Sequence, residues 1–338
     1  MPTDVIDTGV GGVDADFVRL ADPFRRELFA HCYRMVGSVH DAEDLVQETY
    51  LRAWRAYDRF EGRSSLRTWL HRIATSACLT ALEGRARRPL PTGLGAPNAD
   101  PDAELVQRPE VPWLEPIPQT MVGQVAGDAN DPAAIVSARA SVRLALIAAL
   151  QHLSPRQRAV LILRDVLKWR AAEVADLLET TTASVNSLLQ RAHAQLDRMA
   201  PAEDEIDEPE TPAQRALLDR YVRAFEGYDF AAIGELLTEN TVWEMPPFVG
   251  WYRGTRDIVR LSRLHCPAKR AGDLKLLRTQ ANGQPAFALY LRDPADGRHR
   301  AFSINVLAFN GDSIAGVVAF FDTRLFPVFD LPPILPAS

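Results

Sequence analysis

A run of short polar and basic side chains near residue 185 carries the clearest chemistry in this 338-residue sequence. Ser184, Asn186, Ser187, Gln190 and Arg191 interleave with Val185, Leu188, Leu189 and Ala192 at helical spacing, so one set faces outward and the other inward. Hydroxyl, amide and guanidinium groups on one helix face are the set that hydrogen-bonds base edges in a DNA groove and the phosphates beside it. Glu179-Thr180-Thr181-Thr182 supplies the turn and N-cap before that helix, which follows from Ala183. Two helical stretches precede the turn. Ser154 caps the first, with Pro155 at its first helical position and Val160, Leu161 and Leu163 following. Trp169 to Leu178 forms the next, with small Ala175 where two helices must cross closely. Together they predict a helix-turn-helix. Glycine is usual where Glu179 stands, and a plain helical hairpin with a polar face fits the same letters.

A second candidate lies upstream. Arg63, Arg67, Arg72, Arg85, Arg87 and Arg88 gather against the single acid Glu83, around the Gly-containing loop Phe60 to Ser65. On the helix that follows, Arg67, His71, Ser76 and Thr80 lie along one side, while Trp69, Leu70, Ile73 and Cys78 pack inward. Basic side chains beside a polar loop suit a single strand whose bases are unstacked and held one at a time. Before them, Asp41 to Trp54 reads as one amphipathic helix, with Leu45, Thr49, Leu51 and Trp54 recurring at helical spacing. Its outer face collects Asp41, Asp44, Gln47 and Glu48, which as a lone motif is a solvated acidic face.

Other chemistries are poorly supplied. Cys32, Cys78 and Cys266 are odd in number and far apart, which predicts no disulfide framework and a reducing cytoplasm. No Cys or His stands at zinc-ligand spacing, so neither metal nor cofactor is expected. No apolar run approaches the roughly 18 residues of a membrane helix, and Met1 to Gly12 lacks the basic-then-apolar pattern of a signal peptide. The net charge of −6 is an average over blocks, including the acidic stretch Glu203 to Glu210, so it does not decide against nucleic acid.

Stepping along the chain, prolines and charge blocks separate the elements that hold these groups. Residues 16–88 are helical almost throughout. Residues 89–131 carry Pro89, Pro91, Pro97, Pro101, Pro109, Pro112, Pro116 and Pro118 and read as an extended tether. Residues 132–199 are helical again, and 200–212 form an acidic linker. Residues 213–330 change character. Helices at Ala213 to Glu226 and Asp229 to Leu237 precede a strand at Val242 to Met245 and a helix near Thr255 to His265. Strand-like runs follow at Leu274 to Thr279, Ala286 to Arg292, Arg300 to Phe309 and Ser313 to Phe321, joined by turn signals such as Asn282-Gly283. Helices first and then a meander predict an antiparallel sheet wrapped on helices. The fold class is therefore multidomain: two all-α domains, the second a helix-turn-helix, and a C-terminal α+β domain.

The order of Asp41 to Trp54, Phe60 to Arg88 and Leu153 to Gln195 resembles the sigma-70 family of RNA polymerase sigma factors, extracytoplasmic-function group. The resemblance implies that the helix bearing Asp41, Asp44, Gln47 and Glu48 docks on the clamp helices of the polymerase beta-prime subunit. It implies that Phe60, Arg63, Ser64, Arg67, Trp69, Arg72 and Ser76 capture a flipped base of the melted −10 element. Many relatives carry Asn where Ser76 stands, which leaves the preferred base open. Thr182 to His193 would enter the major groove of the −35 element, and the Pro-rich tether would thread the polymerase channel. There Asp100, Asp102 and Glu104 would either mimic nucleic-acid charge or belong to a passive spacer. Partners implied are core polymerase and promoter DNA, with no membrane.

Phe225-Glu226-Gly227-Tyr228-Asp229, Trp251-Tyr252-Arg253-Gly254 and the element order resemble the SnoaL-like cone of an actinobacterial subgroup with a fused C-terminal domain. The cone implies an apolar pocket for a small-molecule ligand, with Trp243, Met245, Trp251, Tyr252, Tyr290 and Asn305 as candidate lining; plain core is the alternative. Glu244 and Asp322 have no evident partner, so catalysis is not expected. Two other readings compete: a SnoaL-like isomerase or hydrolase with a helical targeting region, and a one-component ligand-responsive repressor. Each leaves at least one helical region unexplained.

Overall fold

The computed structural model describes residues 10–98, 100–122, 140–198 and 211–336. The Glu203 to Glu210 acidic block and the final part of the 89–131 stretch lie outside them. Contacts divide the chain into two compact units. Of the described residues, 10–85, 121–122 and 153–195 belong to the first, and 86–98, 100–120, 140–152, 196–198 and 211–336 to the second.

Helices build the first unit. Arg25–Val36 ends on Gly37, whose φ of 69° is a left-handed cap that a side chain would strain. Val39–Ala56 begins where the Ser38 Oγ accepts the Asp41 N–H (3.1 Å), and Leu66–Leu82 where the Ser65 Oγ accepts the Thr68 N–H (3.1 Å). Leu28, Cys32, Val46, Ala53, Leu70, Ala74 and Cys78 form the buried seam between these three helices. The cysteines are free thiols. Further on, Pro155–Leu161 carries the expected Ser154 cap, closed by Gln157, and continues through a π-helical turn at Ile162–Val166. Ala171–Leu177 and Thr182–Asp197 complete the helix-turn-helix. Val160, Leu163, Trp169, Val174, Leu178 and Val185 make its core, with Leu79 packed against it. Glu179, in the turn where glycine is usual, has φ 49° and thus adopts the left-handed conformation the turn requires.

The second unit is centred on a six-stranded sheet. In chain order its strands are β1 (Leu237–Glu244), β2 (Trp251–Arg253), β3 (Leu274–Ala281), β4 (Gln284–Arg292), β5 (His299–Asn310) and β6 (Ser313–Phe320). Their order across the sheet is β2-β1-β6-β5-β4-β3. The expected antiparallel meander holds from β3 to β6. β1 corrects the all-antiparallel expectation by lying parallel to β6, with Val242 opposite Gly316 and Glu244 opposite Val318. The reason is connectivity: the path from β1 to β6 runs through β2, the helix Thr255–His265 and the whole meander, and no tight turn joins the pair. The helices Pro212–Glu226, Phe230–Glu235 and Thr255–His265 cover one face through Leu217, Leu218, Tyr221, Ile233, Ile258 and Leu261.

The Pro-rich stretch contributes to this unit as a strap. Its prolines do exclude a long helix, but the backbone groups left over find partners on the sheet domain. Asn98 N–H donates to Trp251 O (2.7 Å), Val249 N–H to Val106 O (3.0 Å) and Arg108 N–H to Pro247 O (2.9 Å). Leu90, Leu114 and Ile117 are buried. The short helix Leu144–Leu150, read from the sequence as part of the 132–199 domain, also belongs to this unit. Asn282, in the β3–β4 turn, ties both pieces down. Its Oδ1 accepts the Ile117 N–H (3.0 Å), its own N–H donates to Ile117 O (2.9 Å), and its Nδ2 donates to Val142 O (2.7 Å). Leu144 N–H donates to Gln284 Oε1 (3.1 Å).

Among the described residues no helix is long and apolar enough to cross a membrane.

Candidate functional site

The outward face of Thr182–Asp197 is assembled as the spacing implied. Thr182, Asn186, Ser187, Gln190 and Arg191 are exposed and Ser184 is half-buried, while Val185 and Ala192 are buried beneath them. The Thr181 Oγ1 accepts the Ser184 N–H (3.2 Å), which fixes the start of the helix one residue before Thr182. Arg191 Nε rests on Ser187 O (3.3 Å). The helix thus presents amide, hydroxyl and guanidinium groups on its solvent face.

In the loop before Leu66–Leu82, Phe60 stacks obliquely on Trp69 with ring centroids 4.8 Å apart. Arg63 pairs with Glu61 (2.6 Å), and Ser64 sits half-buried beside it. Ser76 is exposed on the same helix, as expected. His71 is not: it is fully buried, a correction to its placement with the outer face. The cause is Glu27, a buried acid on Arg25–Val36 that accepts from both His71 Nε2 (3.1 Å) and the Arg67 guanidinium. Burial alone would push the Glu27 carboxyl up, but the hydrogen bonds and charge of His71 and Arg67 outweigh it and hold Glu27 at about 2. His71 itself is pushed down by burial, and so is His31 beneath it, so both rings are neutral near pH 7. His31 Nε2 donates to Thr75 Oγ1 (2.9 Å), which donates to His71 O (2.8 Å). Arg67 is therefore anchored inward on one side, leaving part of its guanidinium half-exposed. Arg72 Nη1 pairs with Asp176 of the helix-turn-helix at 2.7 Å, and the ring of His71 meets Trp169 edge-on (6.4 Å).

On Val39–Ala56, Asp44 and Gln47 are exposed, Glu48 pairs with Arg52 (2.7 Å), and Asp41 with Arg85 (3.1 Å). Leu51 and Trp54, expected on the inner face, are 49% and 46% exposed. The buried stripe runs instead through Ala42, Leu45, Val46, Thr49 and Ala53. An exposed aliphatic and indole beside four polar groups make a patch suited to a protein partner.

The sheet domain encloses a cavity of about 480 Å³ between β1, β4, β5, β6 and the helices. Trp243, Met245 and Asn305 line it as expected, with Phe225, Phe248 and Phe302. Trp251, Tyr252 and Tyr290 do not. Trp251 Nε1 donates to Gly95 O (2.9 Å), the Tyr252 hydroxyl accepts from Asn98 Nδ2 (3.2 Å), and the Tyr290 hydroxyl donates to Pro332 O (3.0 Å). Alternation sends Trp251, opposite Glu244, and Tyr290, next to the lining residue Leu289, to the other face, whereas Tyr252 lies opposite Trp243 and packs in the core beside the cavity without lining it. At the polar end, Ser303 Oγ donates to Asn305 Oδ1 (3.0 Å) and Asn305 Nδ2 to the Tyr221 hydroxyl (3.0 Å). No carboxylate stands among the described lining residues. Glu244 alternates away from Trp243; burial pushes its carboxyl up, opposed by the Thr92 N–H it accepts at 2.8 Å. Of the three tether acids, Asp102 pairs with Arg260, and no three Cys, His, Asp or Glu residues gather as a metal site among the described residues.

Three family models match the chain: Sigma-70 region 2 over residues 20–88, Sigma-70 region 4 over 143–196 and a SnoaL-like domain over 218–321. The ECF RNA polymerase sigma factor SigG of Mycobacterium tuberculosis is 59% identical over 318 residues, covering 94% of this chain and 84% of the relative. SigJ of the same organism is 30% identical over 246 residues, covering 71% and 70%. The crystal structure of M. tuberculosis SigJ superposes with a TM-score of 0.57 at 23% identity, over 94% of this chain and all of the other, which establishes the shared fold.

Proposed function

The chain belongs to the extracytoplasmic-function group of the sigma-70 family of RNA polymerase sigma factors, and from that membership we propose which of its surfaces does what. It is a sigma factor that binds core polymerase and directs promoter-specific initiation, with a fused SnoaL-like domain. Thr182, Ser184, Asn186, Ser187, Gln190 and Arg191 read the −35 element in the major groove. Phe60, Arg63, Ser64, Arg67, Trp69, Arg72 and Ser76 hold the opened −10 strand. Asp41, Asp44, Gln47 and Glu48 dock on the beta-prime clamp helices, with Leu51 and Trp54 supplying the apolar centre of that contact. The protein acts in the cytoplasm, where its promoter and polymerase are. The observation that carries the reading is the outward polar face of Thr182–Asp197 standing over a buried Val185 and Ala192 in the same chain as the basic loop and helix.

Run-off transcription with purified core enzyme tests it. The full chain is expected to start RNA at a defined position, and the pair Gln190→Ala with Arg191→Ala to lower the yield at least about 30-fold, since each lost base contact costs about 1–3 kcal/mol. A chain that neither associates with core enzyme nor starts RNA at one site would sink the assignment.

By their names the two promoter elements lie ~25 base pairs apart, roughly 85 Å of duplex at 3.4 Å per base pair. The Arg72–Asp176 pair joins the two reading modules far more closely than that, so it opens when both are engaged. Asp176 is largely exposed, and the pair is worth less than about 1 kcal/mol. Asp176→Ala is therefore expected to leave the urea midpoint nearly unchanged while raising run-off yield up to a few-fold; a fall in yield would show that Asp176 serves the engaged state instead.

The SnoaL-like domain acts as a regulator rather than an enzyme. What supports this is a cavity lining that, among the described residues, has no carboxylate to act as acid or base, together with the strap the domain holds.

A further inference from the structure

One wall of the cavity is borrowed. Leu105 and Gln107 line it, yet both come from the Pro-rich strap that precedes the sheet domain by a whole helix-turn-helix. The groups that hold this part of the strap are themselves cavity residues or their neighbours. Gln107 bridges to Phe248, and Arg108 N–H donates to Pro247 O (2.9 Å). His265 Nε2 donates to Pro101 O (3.1 Å), and Asp102 pairs with Arg260 on the helix that supplies Leu261 and His265. Whatever fills the cavity touches the strap.

The lining also limits the occupant. Among the described residues it holds no Lys, Arg, Asp or Glu, so a charged ligand would lose its hydration without gaining a counter-charge. Rings and aliphatic chains dominate; Asn305 and Ser303 are the buried polar lining residues, while Gln107, Ser262, His265 and Thr323 are half-buried or exposed. The Asn305 amide already donates once, to Tyr221, and accepts once, from Ser303, which leaves one N–H and one lone pair for a guest.

We propose that this cavity is a receptor for a neutral, largely hydrocarbon molecule with a single hydrogen-bonding group, and that its occupancy fastens residues 98–118 to the domain. Leu105 and Gln107 complete the wall only while the strap is docked, so the ligand binds the docked state better and shifts the chain toward it. Coupling is reciprocal: docking strengthens ligand binding by the same factor. The strap is also the chain between the two promoter-reading modules. Paid out, each residue spans up to about 3.3 Å, whereas docked it cannot lengthen. The ligand therefore opposes initiation, a consequence that rests on the two-module reading above.

The test uses the full chain and N-phenyl-1-naphthylamine, a neutral apolar fluorophore with one N–H. One probe is expected to bind per chain, with Leu105→Ser weakening it about tenfold. In the wild type, the probe should slow hydrogen exchange at the Arg108 and Val249 amides about tenfold. Ala319→Phe, which fills the cavity, should abolish binding; should it fail to fold, Leu105→Ser, on the surface strap, still decides the matter. Absence of binding overturns the ligand class. Equal binding to Leu105→Ser, with exchange at Arg108 and Val249 unmoved, overturns the coupling. Neither readout needs polymerase, so both stand apart from the initiation assay. There the saturating probe should lower wild-type run-off yield, and an unchanged yield despite slowed exchange would overturn the regulatory consequence.

Discussion

Glu27→Ala is expected to lower the stability of the first unit by about 3–5 kcal/mol, as removal of one partner from a buried charge cluster does. Glu27 is buried under the helix Leu66–Leu82 and is the common acceptor for Arg67 and His71. Without it, Arg67 loses its anchor, and His71 keeps a buried N–H with nothing to receive it. The urea midpoint followed by tryptophan fluorescence measures the loss; a change under about 1 kcal/mol would show that solvent replaces the carboxylate. The same cluster sets an acid limit. The Glu27 carboxyl is held at about 2 in the folded chain against 4.5 ordinarily, so its contribution is full above the ordinary value and is lost as pH falls toward 2. At about 1.4 kcal/mol per unit that amounts to roughly 3 kcal/mol. His31 and His71, lowered from 6.5 by burial, act in the same direction because the unfolded chain takes up their protons first. The midpoint should therefore decline steadily from pH 7 to pH 3, and Glu27→Gln should flatten the part below pH 4.5.

Asn282→Ala is expected to loosen the strap by about 2–5 kcal/mol. Two buried main-chain groups, the Ile117 N–H and the Val142 carbonyl, each lose a partner worth roughly 1–3 kcal/mol. Alanine is also strained at the φ of 55° that Asn282 adopts. Limited proteolysis should cut the variant within residues 86–120 at least tenfold faster than the wild type. Asn282→Asp separates the contributions: it still accepts from Ile117 but no longer donates to Val142, so an intermediate rate is expected. Cleavage elsewhere, with 86–120 intact, would show that the turn is not the fastening.

The helix-turn-helix was legible letter by letter because its signals are local: a Ser-Pro cap, an apolar seam and a threonine turn all act within a few residues. Even the misfit at Glu179 pointed to a left-handed residue. Helical spacing grouped Leu51 and Trp54 with Leu45 and Thr49, yet only the latter two pack, because small Ala42 and Ala53 with Val46 complete the buried stripe on their side. On the sheet, the cavity takes Trp243, Met245 and Asn305 of the candidate lining but not Tyr290, which alternates away from Leu289 on β4. The strap was least legible. Prolines declare what a segment cannot do, whereas its partners Pro247, Trp251 and Asn282 lie more than a hundred residues away in the chain.

The helix Leu144–Leu150 draws its fastening from Asn282 and Gln284, which gives the last domain possession of a piece from the middle of the polypeptide. Leu144, Ile147 and Leu150 are buried there, as are Leu114 and Ile117. A gene that lost its 3′ end would therefore encode a protein with greasy segments laid bare, prey for proteases and prone to clump.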